Sequence, residues 1–204
     1  LGTRDDAGLA GEFRCSNAAG LVAVRNALAQ AGSILMAEGE SAAGKALYNL
    51  GEFKAAAAAY QREQAAYRLA GDRRGLSRVL LRLADVSWSQ GDIDAALVLP
   101  YESLKICRAM NDRAGASGAL NFLAIVLDHQ GKLVEAGEYF AQALVPAREI
   151  NLPHGCATAL NNLGETFRRR GPLPQAARHS AEANRLARQD GELQGRGRGL
   201  QGVG

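Results

Sequence analysis

Three histidines and three cysteines are the side chains from which metal or nucleophilic chemistry would be built. His129, His154 and His179 lie far apart, and only His154-x-Cys156 approaches ligand spacing, with no second pair to close a site. Cys15, Cys107 and Cys156 are odd in number with long, irregular gaps, so neither a disulfide framework nor a zinc ribbon is implied. They read as small apolar fillers in a reducing compartment, which predicts a cytoplasmic location. No G-x-x-x-x-G-K-[ST] loop exists to cradle phosphate, and no G-x-S-x-G elbow presents a serine nucleophile. Asp85, Asp128 and Glu165 are carboxylates that a cleft would gather, but an open, wet groove is poor ground for the shifted pKa values of acid–base catalysis. No catalytic residue, metal ligand or cofactor is expected. The chemistry to look for is recognition.

Composition narrows the class. Of 204 residues, 47% are hydrophobic, too many for a disordered chain, and no uncharged apolar run reaches the roughly 18–20 residues of a membrane span. A net charge of +3 is too weak for a surface that must neutralise many phosphates, which argues against a nucleic-acid partner. The chain opens at Leu1 with no basic-then-apolar leader, which predicts a fragment or a processed chain.

The elements that must position any site follow from a repeat. GEFKAA starts at Gly51, GDIDAA at Gly91, GKLVEA at Gly131 and GPLPQA at Gly171, each 40 residues after the last, with a fainter GEFRCS at Gly11. A second turn signal keeps the same period at Gly71-Asp72, Asn111-Asp112, Asn151-Leu152 and Gly191. Between the turns the spacing is helical: Leu120, Leu123, Ala124 and Leu127 fall on one face, as do Ala136, Phe140, Ala143 and Leu144. Alternating strand patterns are absent. Each unit therefore reads as two antiparallel helices of roughly 17–19 residues. Glycine at the turns can take the left-handed conformation that ends a helix, and the acids after it (Glu52, Asp92) suit the positive end of the next one. Pro100 and Pro146 fall inside second helices, where they are expected to kink or shorten them.

The Leu-small pairs Leu83-Ala84, Leu123-Ala124 and Leu163-Gly164, alternating with Ala136, Phe140 and Ala143, resemble the tetratricopeptide repeat. That family's usual period is ~34 residues, so a period of 40 resembles its long-helix subtype. ALNFLAIVLDHQGKLVEAGEYFAQAL and ALNNLGETFRRRG are similar to kinesin light chain repeats and to the C-terminal arrays of bacterial LuxR-type and AfsR-type regulators. The resemblance implies an all-α, right-handed α-solenoid of antiparallel helix pairs, with an inner groove lined by the first helix of each unit. The expected organisation is a half-repeat helix in 1–32, repeats over 33–72, 73–112, 113–152 and 153–190, and a disordered Gly-rich tail in 191–204. Neither end carries an evident polar cap, which predicts a piece of a longer array or of a multidomain protein and allows self-association through the ends.

Carried over on the Leu-small pair, the family's ligand-facing positions fall on Arg78, Leu81, Asp85, Trp88 and Ser89 in the second unit. The third places Gly118, Asn121, Ile125, Asp128 and His129 there, and the fourth Thr158, Asn161, Glu165, Arg168 and Arg169. The first contributes Ser41, Lys45, Tyr48 and Asn49; Ser41 and Lys45 occupy the first pair of positions of the clamp used for acidic C-terminal tails and do not meet its Lys-then-Asn pattern. Asn121 and Asn161 share a column from which amides can pair with the backbone of an extended peptide, or with a neighbouring helix. Trp88, the single tryptophan, is either an interface anchor or inter-unit packing. Arg168-Arg169-Arg170 makes a basic patch beside a middle made acidic by Asp85 and Asp128. The function implied is binding of a protein or peptide in the groove; the alternative is a sensor or regulatory arm of a larger signalling ATPase or transcriptional regulator.

Overall fold

In a computed structural model, residues 6–171 and 173–201 are described, with side chains described for 22, 23, 25–171 and 174–188. They form α1 (Asp6–Asn49), α2 (Phe53–Ala70), α3 (Arg73–Ser89), α4 (Ile93–Ala109), α5 (Arg113–His129), α6 (Leu133–Glu149), α7 (Pro153–Arg170) and α8 (Leu173–Gln201), and no strand among the described residues. Each helix packs on the next, so the chain is an α-solenoid of antiparallel pairs.

The punctuation is finer than the 40-residue period. A residue with positive φ ends a helix every 20 positions: Gly51, Gly71, Gly91, Asn111, Gly131, Asn151 and Gly171. Asparagine is the side chain that best tolerates this left-handed conformation, so Asn111 (φ 56°) and Asn151 (φ 49°) stand in for glycine. Three following aspartates then cap the next helix. Asp72, Asp92 and Asp112 accept from the backbone N–H of Gly75, Ala95 and Gly115 at 2.9, 3.1 and 3.0 Å. Glu52 makes no such bond, its longer side chain being a poor cap.

Small residues set how closely the paired helices cross. Gly44, Ala84, Ala124 and Gly164 form one column, and a Cβ on Gly44 would run into the Tyr60 ring, while one on Gly164 would lie 2.8 Å from Ser180 Oγ. Phe140 is buried in the same second-helix column as Tyr60 and Pro100. At a second crossing the donor alternates between helices: Ser103 Oγ donates to the Ser77 carbonyl, and Ser117 Oγ to the Ala143 carbonyl, both at 2.8 Å. Ser103 belongs to a column that holds buried Ala143 and Ala183 in later units but Glu63 in the first.

Three expectations need adjustment. Pro100 and Pro146 do not shorten their helices: α4 and α6 keep 17 residues, as α3 and α5 do. Each proline forfeits one backbone bond, which at Pro100 is offset by complete burial of the ring. No turn separates 1–32 from the first unit, because α1 is one helix of 44 residues. Ala31 and Gly32 stand where other units have Asn111 and Asp112, so the left-handed residue and its cap are both missing. Helix α8 continues past residue 191 to Gln201; the side chains from 189 onward lie outside the described ones.

Candidate binding groove

Successive odd-numbered helices touch, α3 on α5 and α5 on α7, whereas no comparable contact joins successive even-numbered ones. The array therefore curves toward the odd helices, which carry every position singled out from the sequence.

Residues aligned across units are 40 apart, but five pairs that meet across this wall are 41 apart. Tyr48 and Ser89 hydroxyls lie 3.1 Å apart, Asn162 Nδ2 donates to Asn121 Oδ1 at 3.3 Å, and the Trp88 and His129 rings meet edge-on at 5.1 Å. Arg82 with Ser41, and Arg169 with Asp128, complete the series. Sequence alignment groups Asn121 with Asn161; the structure instead ties Asn121 to Asn162 and leaves Asn161 exposed. A search for complementary pairs at the shifted spacing would have found these contacts.

Charges on the wall are mostly neutralised in place. Asp128 accepts from Arg169 and, at 3.0 Å, from Thr166 Oγ1; Glu165 is bridged by Arg168 on its own helix, which holds its carboxyl below the usual range. Arg170 lies 5.7 Å over the Phe167 ring. The basic run and the acidic middle read from the sequence thus cancel, except at Asp85. Its carboxyl is half-buried, pushed up by that burial and held down in part by the Tyr48 hydroxyl.

Beneath the wall, Glu63 is fully buried, and its Oε1 accepts from Arg82 Nη1 at 2.6 Å. Burial pushes this carboxyl up while Arg82, Ser41 and Arg78 pull it down, and its Oε2 has no hydrogen-bond partner. The repeat does carry a signal for Glu63, which stands in the column of Ser103, Ala143 and Ala183, although helical periodicity alone records that position only as inward.

Two cavities open between these elements. One, about 410 Å³, is lined by Leu81, Arg82, Asp85, Trp88, Phe122 and Ile125, among others. The structure thus brings together Asp85, Trp88 and Ile125, and adds Arg82 and Phe122, which the columns omitted. Trp88 is half-buried: its ring packs on His129 of the next unit, and it also lines the cavity. The other, about 500 Å³ between α7 and α8, gathers Asn161, Glu165 and Arg168 with Asn162 and Ser180. Arg78 is exposed and lines neither. A third cavity, about 400 Å³, lies between α4, α5 and α6 over Cys107, Ala116 and Pro146, with the Arg113–Glu149 ion pair at its rim. A fourth, about 350 Å³, sits one unit on, around Cys156 and the Arg148–Glu182 pair. Among the described residues, no three His, Cys, Asp or Glu side chains gather as they would around a metal ion, and no helix is long and apolar enough to cross a membrane.

A curved stack of helix pairs, with polar and aromatic side chains on the inner wall, defines the class of helical repeat proteins that work by holding other proteins. Residues 116–189 match the tetratricopeptide repeat family model, and the same helical unit continues outside them. Its fold is similar to that of BtubC (BKLC) from P. vanneervenii, at 18% identity and TM-score 0.70, covering 92% of this chain and 75% of that one. It is also similar to aspartyl phosphate phosphatase F from Bacillus subtilis, at 13% identity and TM-score 0.73, and to apo RapI, at 17% and 0.65. The alignments cover 78% of this chain in both cases, but only 42% and 44% of those proteins. No curated protein matches the sequence.

Proposed function

We propose that the chain binds a peptide segment of a partner protein against the wall formed by α1, α3, α5 and α7, and performs no chemistry of its own. The observation that carries this reading is the cavity of about 410 Å³ between α3 and α5, where the half-buried indole of Trp88 and apolar side chains surround a carboxylate. An aromatic anchor in a partly desolvated pocket is what dominates binding energy at protein interfaces. Asn161, exposed at the second cavity, offers an amide to the backbone of an extended ligand, whereas Asn121 has one acceptor already engaged. The tetratricopeptide repeat fold serves generally as an interaction module, which supports the same reading.

The test is selection of peptides from a random display library on the immobilised chain, followed by affinity measurements on variants of each face. Trp88→Ala and Asn161→Ala should weaken the selected peptides about tenfold or more each, a loss of about 1.4 kcal/mol. Val98→Ser and Val134→Ser, exposed positions on the even helices, should leave them unchanged. The opposite pattern would place the binding face on the even helices and end the proposal.

A further inference from the structure

Five carboxylates line the four cavities, and four of them are ion-paired within the chain. Asp112 pairs with Arg74, Glu149 with Arg113, Glu165 with Arg168 and Glu182 with Arg148. Asp85 has no such partner among the described residues. Arg82 lines the same cavity, but its guanidinium is committed to Glu63 and Ser41, and the buried Glu63 carboxylate balances its charge. The space in front of Asp85 therefore carries one uncompensated negative charge.

The rest of the cavity specifies what would compensate it. Leu81, Phe122, Ile125 and Val126 give an apolar wall on which methylene groups can lie. Trp88, one turn along α3 from Asp85, lines the same cavity, and an indole is the side-chain ring that attracts a cation most strongly. A guanidinium suits this combination better than an ammonium, because it is planar, stacks on aromatic rings and meets a carboxylate with two parallel N–H bonds. The volume of about 410 Å³ gives room for a long side chain and some water.

We infer that the α3–α5 cavity is the subsite for an arginine side chain of the partner, its guanidinium held between the Trp88 indole and the Asp85 carboxylate. The inference rests on the groove reading above and adds the chemical class of the residue recognised there. The sequence gives a local reporter, since Trp88 is the only tryptophan. The ¹⁵N-labelled chain would be titrated with N-acetyl-arginine amide, and separately with the corresponding lysine, leucine and glutamate amides, all at one fixed pH and ionic strength.

The arginine amide should move the indole N–H cross-peak saturably, at least tenfold more tightly than the leucine or glutamate amide. Asp85→Asn should weaken arginine about tenfold and leave leucine unchanged. Equal binding of arginine and leucine, or arginine binding indifferent to Asp85→Asn, overturns the inference. Tightest binding of the lysine amide overturns the choice of guanidinium. Library peptides that move the Trp88 cross-peak with no basic residue at the contact overturn the arginine subsite and leave the groove reading standing. Peptides that bind only through the even helices overturn the groove reading, and the response of the arginine amide to Asp85→Asn still decides the subsite.

Discussion

Replacing Arg82 by leucine should destabilise the first two units far more than its own exposure suggests, because the charge it leaves behind is on Glu63. Arg82 is 39% exposed and could rehydrate if Glu63 were removed; Glu63 is 0% exposed and has no such recourse. Removing one partner of a buried pair costs about 3–5 kcal/mol. Ser41 and Arg78 continue to favour the Glu63 carboxylate, so about 3 kcal/mol, the lower end, is expected at pH 7. The pH dependence has a definite sign. Burial already raises the Glu63 carboxyl above its ordinary value, and losing Arg82 raises it further. The native variant then holds a proton that the unfolded chain releases at about pH 4.5. Its stability is fully present below that pH and falls as pH rises through the folded-state pKa, at up to about 1.4 kcal/mol per pH unit. Urea unfolding, followed by Trp88 fluorescence for the second unit and circular dichroism for the array, measures this between pH 4 and 8. Adding Glu63→Met to Arg82→Leu removes the stranded charge and should restore wild-type stability or exceed it, as hydrophobic replacement of buried pairs often does. A cost that is the same at pH 4 and pH 7, or a double variant no better than the single one, would refute the argument.

Two further outcomes follow from the packing. Gly44→Ala and Gly51→Ala should both destabilise in urea titrations, but for different reasons. The first forces a methyl into the Tyr60 ring, at about 1–3 kcal/mol, and should be relieved by Tyr60→Leu; the second meets open space but holds φ at 79°, at about 1–2 kcal/mol, and should not be relieved. On the outer side, the Tyr101 and Tyr139 hydroxyls are 2.6 Å apart, and burial together with that bond pushes Tyr101 up to about 12. Its contribution to stability is complete below the ordinary pKa of 10 and is lost as pH rises from there to about 12. Absorbance titration at 295 nm should show a tyrosine ionising late, and Tyr139→Phe should bring that step down; an unchanged titration would exclude the coupling.

The fold was legible because a solenoid is a local structure. Gly51, Gly91, Gly131 and Gly171 end helices where the spacing places them, and the Leu120–Leu127 stripe packs in the core. Asn111 and Asn151 were legible as turns for the same reason, since left-handed φ restricts which residues can stand there. The helix α1 was less so: a missing turn is signalled only by the absence of a cap at Ala31-Gly32, and the faint repeat at Gly11 suggested a break that α1 does not make. The groove was legible as a set of positions but not as a set of partners. Asp128 and Arg169 were both in view, yet their pairing follows from the offset between adjacent helices, which no alignment of one unit on another contains.

By itself, then, the sequence determined the period, the helix ends, the inward faces and the small residues at the crossings, because each depends on backbone conformation or burial within about 20 residues. Only the tertiary structure decided which charges cancel. A side chain 41 residues away in sequence comes within hydrogen-bond distance once the helices stack, and that neutralises Asp128 while leaving Asp85 unpaired. It also decided that Glu63 is buried with one oxygen unsatisfied and Arg82 as its counter-ion. Electrostatic pairing depends on distance in space, and the repeat fixes distance only after the units have been stacked.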